Sequence, residues 1–135
     1  MFEYIERLKE GNRRFMDTHP HIPIAEQDPF CAVLACADSR VSPEILFRQD
    51  IGDVFVVRHA GNIATDSAID SLRLAVERLH IKLIVVMGHQ DCAAIAKENI
   101  IPNVHKQVER LKKEFPMVEV VGSYFDFHDG SVSFL

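Results

Sequence analysis

Three short, unbroken apolar runs constrain this chain more than any other feature: Phe30 to Ala35 (FCAVLA), Val54 to Val57 (VFVV) and Leu83 to Met87 (LIVVM). Runs of this length without polar alternation fit strands buried on both faces, as in a parallel sheet covered by helices. The stretches between them are helical in pattern. Pro43 to Gln49 follows Ser42, an N-cap residue with proline at the first helical position. Thr65 or Asp66 caps a longer segment that sets Ile69, Leu72, Val76 and Leu79 on one face. Strand and helix alternate, so the fold class is α/β: an open, mainly parallel β-sheet flanked by helices.

The two ends add smaller elements. Glu3 to Phe15 has helical spacing interrupted at Gly11-Asn12, and Thr18 to Pro23 then breaks any regular element, so residues 1–24 read as an N-terminal helical arm. Near the other end a charged helix, His105 to Phe115, leads to a fourth strand, Val118 to Val121. Ser123 to Phe127 and Val132 to Leu135 flank the turn pair Asp129-Gly130, which predicts a C-terminal edge hairpin. No repeat, low-complexity tract or linker divides the 135 residues, and a 47% hydrophobic composition supplies one core, so residues 1–135 read as a single domain.

Charge and cysteine usage exclude several classes. A formal net charge of -5, with basic residues interleaved among acids, argues against nucleic acid as a partner. The opening MFEYIERLKEGNRRFM lacks the pattern of a signal peptide, and no apolar run approaches the roughly 18 residues of a membrane span. The expectation is a cytoplasmic protein with no membrane partner. Three cysteines without export signals point to metal or reactive thiols rather than a disulfide frame. Cys31 is the odd one, and core filler facing away from Cys36 is its expected role.

Cys36 directly follows the first strand, and His89 follows the third. In an open parallel sheet both emerge at the carboxyl edge, where ligands collect. Cys92 lies three residues beyond His89, on a turn expected to open a helix, and can point back to the same spot. Two thiolates and an imidazole suit Zn²⁺, and a tetrahedral ion with three protein ligands keeps its fourth position open. Alone, Cys36 would read as a small buried hydrophobe and Asp38 with Arg40 as a surface ion pair. Together at matching strand ends they favour a zinc site with a carboxylate and a guanidinium beside it. His19, His21, His80, His105 and His128 lack ligand spacing. His59, near the carboxyl end of the second strand, reads better as a structural hydrogen-bonding residue than as a proton shuttle.

At these residues the sequence resembles the β-class carbonic anhydrases, through CADSR, GDVFVVRHAGN, the SLRLAVERL helix and VVMGHQDC. The resemblance implies Cys36, His89 and Cys92 as zinc ligands, with Asp38 and Arg40 as the dyad that orients the nucleophile. It implies Asp38 as a fourth ligand in a closed state at lower pH, so activity should rise with pH. Gln27 matches a substrate-binding glutamine supplied by a partner subunit, and Phe55 an apolar pocket residue. Leu74 stands where plant-type members have a pocket tyrosine. The implied substrate is carbon dioxide or bicarbonate, and the implied assembly a homodimer or higher homo-oligomer with the N-terminal arm wrapped across it. Hydrolases of carbonyl sulfide or carbon disulfide share the resemblance, and a non-catalytic zinc-binding module is the alternative from another class. Three departures stand out. Ala93-Ala94 replaces the usual glycines, His59 replaces an asparagine, and the segment between Cys92 and the last strands is tens of residues short, as if a helix or more were missing.

Overall fold

The computed structural model describes residues 1–22 and 25–135. Pro23 and Ile24, the end of the expected arm, lie outside the described residues. Five strands form one sheet: β1 (Cys31–Ala35), β2 (Val54–Arg58), β3 (Leu83–His89), β4 (Glu119–Phe125) and β5 (Val132–Phe134), in the order β2-β1-β3-β4-β5. The first four run parallel, and β5 returns antiparallel to β4, so the edge hairpin forms as expected. Val33 pairs with Val56 on one side and Val85 on the other. β1 and β3 are neighbours whose onward connections leave in opposite directions, one to β2 and one to β4. Their carboxyl ends therefore bound the switch point of the sheet.

All five residues of β1 are buried, as its continuous apolar run predicts. Alternate residues serve two cores. Ala32, Leu34, Ile84 and Val86 pack beneath helices α3 (Asp66–Glu77) and α4 (Ile100–Glu114), against Leu72, Val104 and Leu111. Val33, Ala35, Val85 and Met87 face the other way, toward Val41, Phe125 and Cys36. Cys31 is buried at the far end of β1, on the same face as Val33, and its thiol is pushed up by that burial. Thr65 caps α3 as expected, its hydroxyl oxygen accepting the Ala68 amide at 3.2 Å.

Several boundaries differ from expectation for local reasons. Helix α1 (Phe2–Thr18) runs through Gly11-Asn12 without a break. A single interior glycine costs only about 1 kcal/mol, and the Glu6–Lys9 and Glu10–Arg13 pairs support the helix around it. Helix α2 (Pro43–Leu46) stops before Gln49, because Arg48 takes a left-handed φ of 49°. Helix α4 begins at Ile100 rather than His105, with Pro102 in the first turn, where its missing N–H costs nothing. The predicted fourth strand and the first arm of the hairpin are one element, β4, continuous through Gly122.

Gly122 marks a close approach rather than a turn. A Cβ there would lie 2.8 Å from Val104 Cγ1, and one at Gly88 would lie 2.6 Å from Val104 Cγ2. Val104 thus sits in a notch formed by glycines on adjacent strands, which draws α4 onto the sheet next to His89. Gly88→Ala is expected to destabilise the protein by about 1–3 kcal/mol through overpacking against this stiff β-branched side chain. Urea unfolding would check it; an unchanged midpoint would show that the notch can open.

Candidate metal centre

The sheet brings the predicted ligands together. Cys36 Sγ, Cys92 Sγ and a ring nitrogen of His89 all lie within 4.8 Å of one another, with the two sulfurs 4.0 Å apart. Two sulfurs each about 2.3 Å from one tetrahedral ion would be separated by about 3.8 Å, so the spacing fits zinc. The state of His89 points the same way. Its side chain is 1% exposed, and Nδ1 donates to the Gln90 carbonyl at 2.7 Å, which leaves Nε2 as a bare acceptor. That Nε2 is buried without a hydrogen-bond partner among the described residues, a costly arrangement unless a cation takes its lone pair.

Backbone amides surround the sulfurs. Gly61 N–H donates to Cys36 Sγ at 3.2 Å, and the amides of Ala94 and Ile95 point at Cys92. Burial pushes the Cys92 thiol up and the Cys36 sulfur adds to this, while the two amides oppose it. A divalent cation would reverse that balance and hold both sulfurs as thiolates. Residues Ala93 to Ile95 form bends rather than the expected helix; the chain becomes helical only in the 3₁₀ turn Lys97–Asn99 that precedes α4. The wide turn is what lets Ala94 and Ile95 face the sulfur.

Asp38 and Arg40 form a bidentate pair. Arg40 Nε donates to Oδ1 at 2.9 Å and Nη2 to Oδ2 at 2.7 Å, and the Arg40 backbone amide adds a third bond to Oδ1 at 2.9 Å. These bonds, the side-chain ones foremost, hold the Asp38 carboxyl well below the usual carboxylate range. Oδ2 lies 3.9 Å from His89 Nε2, at the rim of the cation position. Arg58 braces the turn from β2, donating to the carbonyls of Cys36, at 2.8 Å, and of Asp38.

Phe127 completes the wall. Its ring lies 4.3 Å from Arg40 Cζ and 5.5 Å from the His89 ring centre, and its amide is held by Gln90 Oε1 at 2.9 Å. Sequence reasoning missed Phe127, since only the return of the hairpin delivers it. Arg58 could have been found from its place at the same strand edge. Gln27, Phe55 and Leu74 are not brought to this cluster within one chain. Gln27 is exposed before the amino end of β1, Phe55 packs on the α3 side of the sheet, and Leu74 is exposed on α3. His59 is exposed at the end of β2, its Nδ1 3.0 Å from the Ala60 carbonyl.

Solved structures share this fold. A carbonic anhydrase from Streptococcus mutans superposes with a TM-score of 0.83 at 22% identity, over 97% of this chain and 96% of that one. A tetrameric β-carbonic anhydrase from Sordaria macrospora gives a TM-score of 0.75 at 20% identity, over 99% and 95%. A family profile described as carbonic anhydrase matches residues 31–114. The chain belongs to the β-class carbonic anhydrase family. Among curated relatives, carbonic anhydrase 2 of Mycobacterium tuberculosis is 43% identical over 98 residues, 65% of this chain and 47% of its own. The chain thus spans about half the length of the curated relatives it matches, yet nearly all of the S. mutans chain. Between Cys92 and β4 the described residues form one 3₁₀ turn and one helix.

Proposed function

We propose that this carbonic anhydrase family member reversibly hydrates carbon dioxide to bicarbonate, with Cys36, His89 and Cys92 holding zinc. The observation that carries the reading is the convergence of two sulfurs on a buried, unpartnered imidazole nitrogen. Zinc bound there would supply a Lewis acid that helps water ionise, less strongly than beside three imidazoles because two thiolates cancel its charge.

Asp38 supplies orientation. With both oxygens fixed by Arg40, its carboxylate is an acceptor that aligns the proton of the attacking water and leaves a lone pair free for the carbon of carbon dioxide. Arg40 keeps Asp38 ionised and off the cation position, which favours the open form of the site. One water and one carbon dioxide give bicarbonate and a proton, and the proton passes to solvent buffer.

The substrate pocket is completed, in this reading, by a second copy of the chain. No residue of α1 is buried, and Phe2, Leu8 and Met16 leave it an apolar surface without cover. β2 is an edge strand with the apolar sequence VFVV, an arrangement that stable proteins cover. Gln27, Phe55 and Leu74 of the second copy would then face the site. The apolar pair suits a substrate without charge.

Stopped-flow hydration by the zinc-loaded full chain tests the proposal. Catalysis should accompany about one zinc per chain and rise from neutral to alkaline pH. Stoichiometric zinc without turnover at any pH would leave a zinc-binding module. Turnover of carbon disulfide or carbonyl sulfide alone would assign a hydrolase.

A further inference from the structure

The loop from Gly61 to Ala64 touches the metal centre on one side and α4 on the other. Gly61 has φ of 76° and Asn62 of 46°, two left-handed residues in succession. Asparagine enters this region more readily than other non-glycine residues, but two left-handed residues in succession still need support from the surrounding structure. Two side chains one turn apart on α4 do so. Asn103 Nδ2 donates to the Gly61 carbonyl at 2.8 Å. Gln107, 3% exposed, donates through Nε2 to Asn103 Oδ1 at 2.9 Å and accepts the Ala64 amide on Oε1 at 3.0 Å. From the other side a Cβ on Gly61 would meet Ile95 Cδ1 at 2.9 Å, so the loop is held between α4 and the segment that follows Cys92.

We propose that Asn103 and Gln107 are positioning residues for the metal centre: they fix Gly61 where its amide donates to Cys36 Sγ and so set the charge that this sulfur offers a cation. An N–H aimed at a thiolate withdraws electron density from it, and outer partners of this kind orient ligands as well as tune them. The inference rests on the zinc reading above and adds to it a regulator of the Cys36 bond. No motif points to it, because Asn103 and Gln107 lie 11 and 15 residues beyond Cys92 and reach the site only through the Gly61 backbone.

The test uses the full chain loaded with cobalt(II), whose thiolate charge-transfer band reports sulfur electron density, followed by zinc competition against a chelator. Asn103→Asp keeps the shape and the bond from Gln107 but removes the donor to Gly61; Asn103→Ala removes both. Both variants are expected to move the band to lower energy, because the sulfur regains electron density, and to weaken zinc binding by about 10-fold or more, because the loop no longer orients Cys36. Lys106→Ala, on the exposed face of α4, should match the parent protein. A band and an affinity unchanged in Asn103→Asp would overturn the inference while the zinc reading stood. Lower thermal stability with an unmoved band would overturn it equally, since that marks support of the fold alone. Absence of any thiolate band in the parent protein would remove both readings at once.

Discussion

Arg40→Ala is expected to lower carbon dioxide hydration by about 10- to 100-fold while zinc stays bound at about one equivalent. The reason lies in what the guanidinium does to Asp38. It occupies Oδ1 and Oδ2 together, and only the backbone bond to Oδ1 survives its removal. Oδ2, 3.9 Å from His89 Nε2, is then free to turn into the cation position and compete with water for it. A bound carboxylate closes the site that the reaction needs open. The ligands are untouched, so metal analysis and stopped-flow kinetics should separate in this variant; full turnover would remove the dyad from the mechanism.

The same variant makes a statement about pH. Asp38 has a folded-state pKa depressed chiefly by the Arg40 side chain, so its pairing contributes stability at pH above the ordinary carboxylate range, and this is lost as pH falls through the depressed value. Without Arg40 the carboxyl returns toward its ordinary range. The stability difference between parent and variant should therefore be present at neutral pH and fade only in strong acid. It should also be modest, because the Arg40 side chain is 54% exposed and its charge is screened by solvent. Lysine is not an adequate substitute, since one ammonium cannot bond both oxygens in the plane of the carboxylate.

The parts of this fold that were legible in the sequence are those whose burial leaves a local pattern. FCAVLA and LIVVM announce central strands because both faces of β1 and β3 are covered, and their neighbouring carboxyl ends make the meeting of Cys36 with His89 legible in the sequence. Glycines mislead where their meaning is tertiary. Gly122 resembles a strand break until Val104 is seen lying against it. Gly11 resembles a helix break although its costs are outweighed by neighbouring turns. Ala93 and Ala94 have high helix propensity but sit in bends, where the Ala94 amide turns toward the Cys92 sulfur. Gln27, Phe55 and Leu74 could be matched by resemblance but not located. Their distance from the site within one chain becomes visible only when the sheet is assembled.

Cys92→Ala should remove zinc binding and turnover while sparing the fold. Cys92 stands on a half-buried turn beyond β3, outside the packed interior that β1 and β3 form, so a small side chain there leaves little cavity. Chemically the loss is large. Two donors remain, Cys36 and His89, and outer partners alone typically contribute 10–100-fold to affinity, so a lost ligand should cost about 100-fold or more. Asp38 cannot fill the gap without releasing the two Arg40 bonds that hold it away. Hydration should then fall to the uncatalysed background at zinc concentrations that saturate the parent protein, with circular dichroism unchanged. Cys31→Ala supplies the opposite case: that residue is buried at the other end of β1, so its truncation should lower stability and leave bound zinc intact. Retention of zinc in Cys92→Ala, or its loss in Cys31→Ala, would place the metal elsewhere than at the carboxyl edge of the sheet.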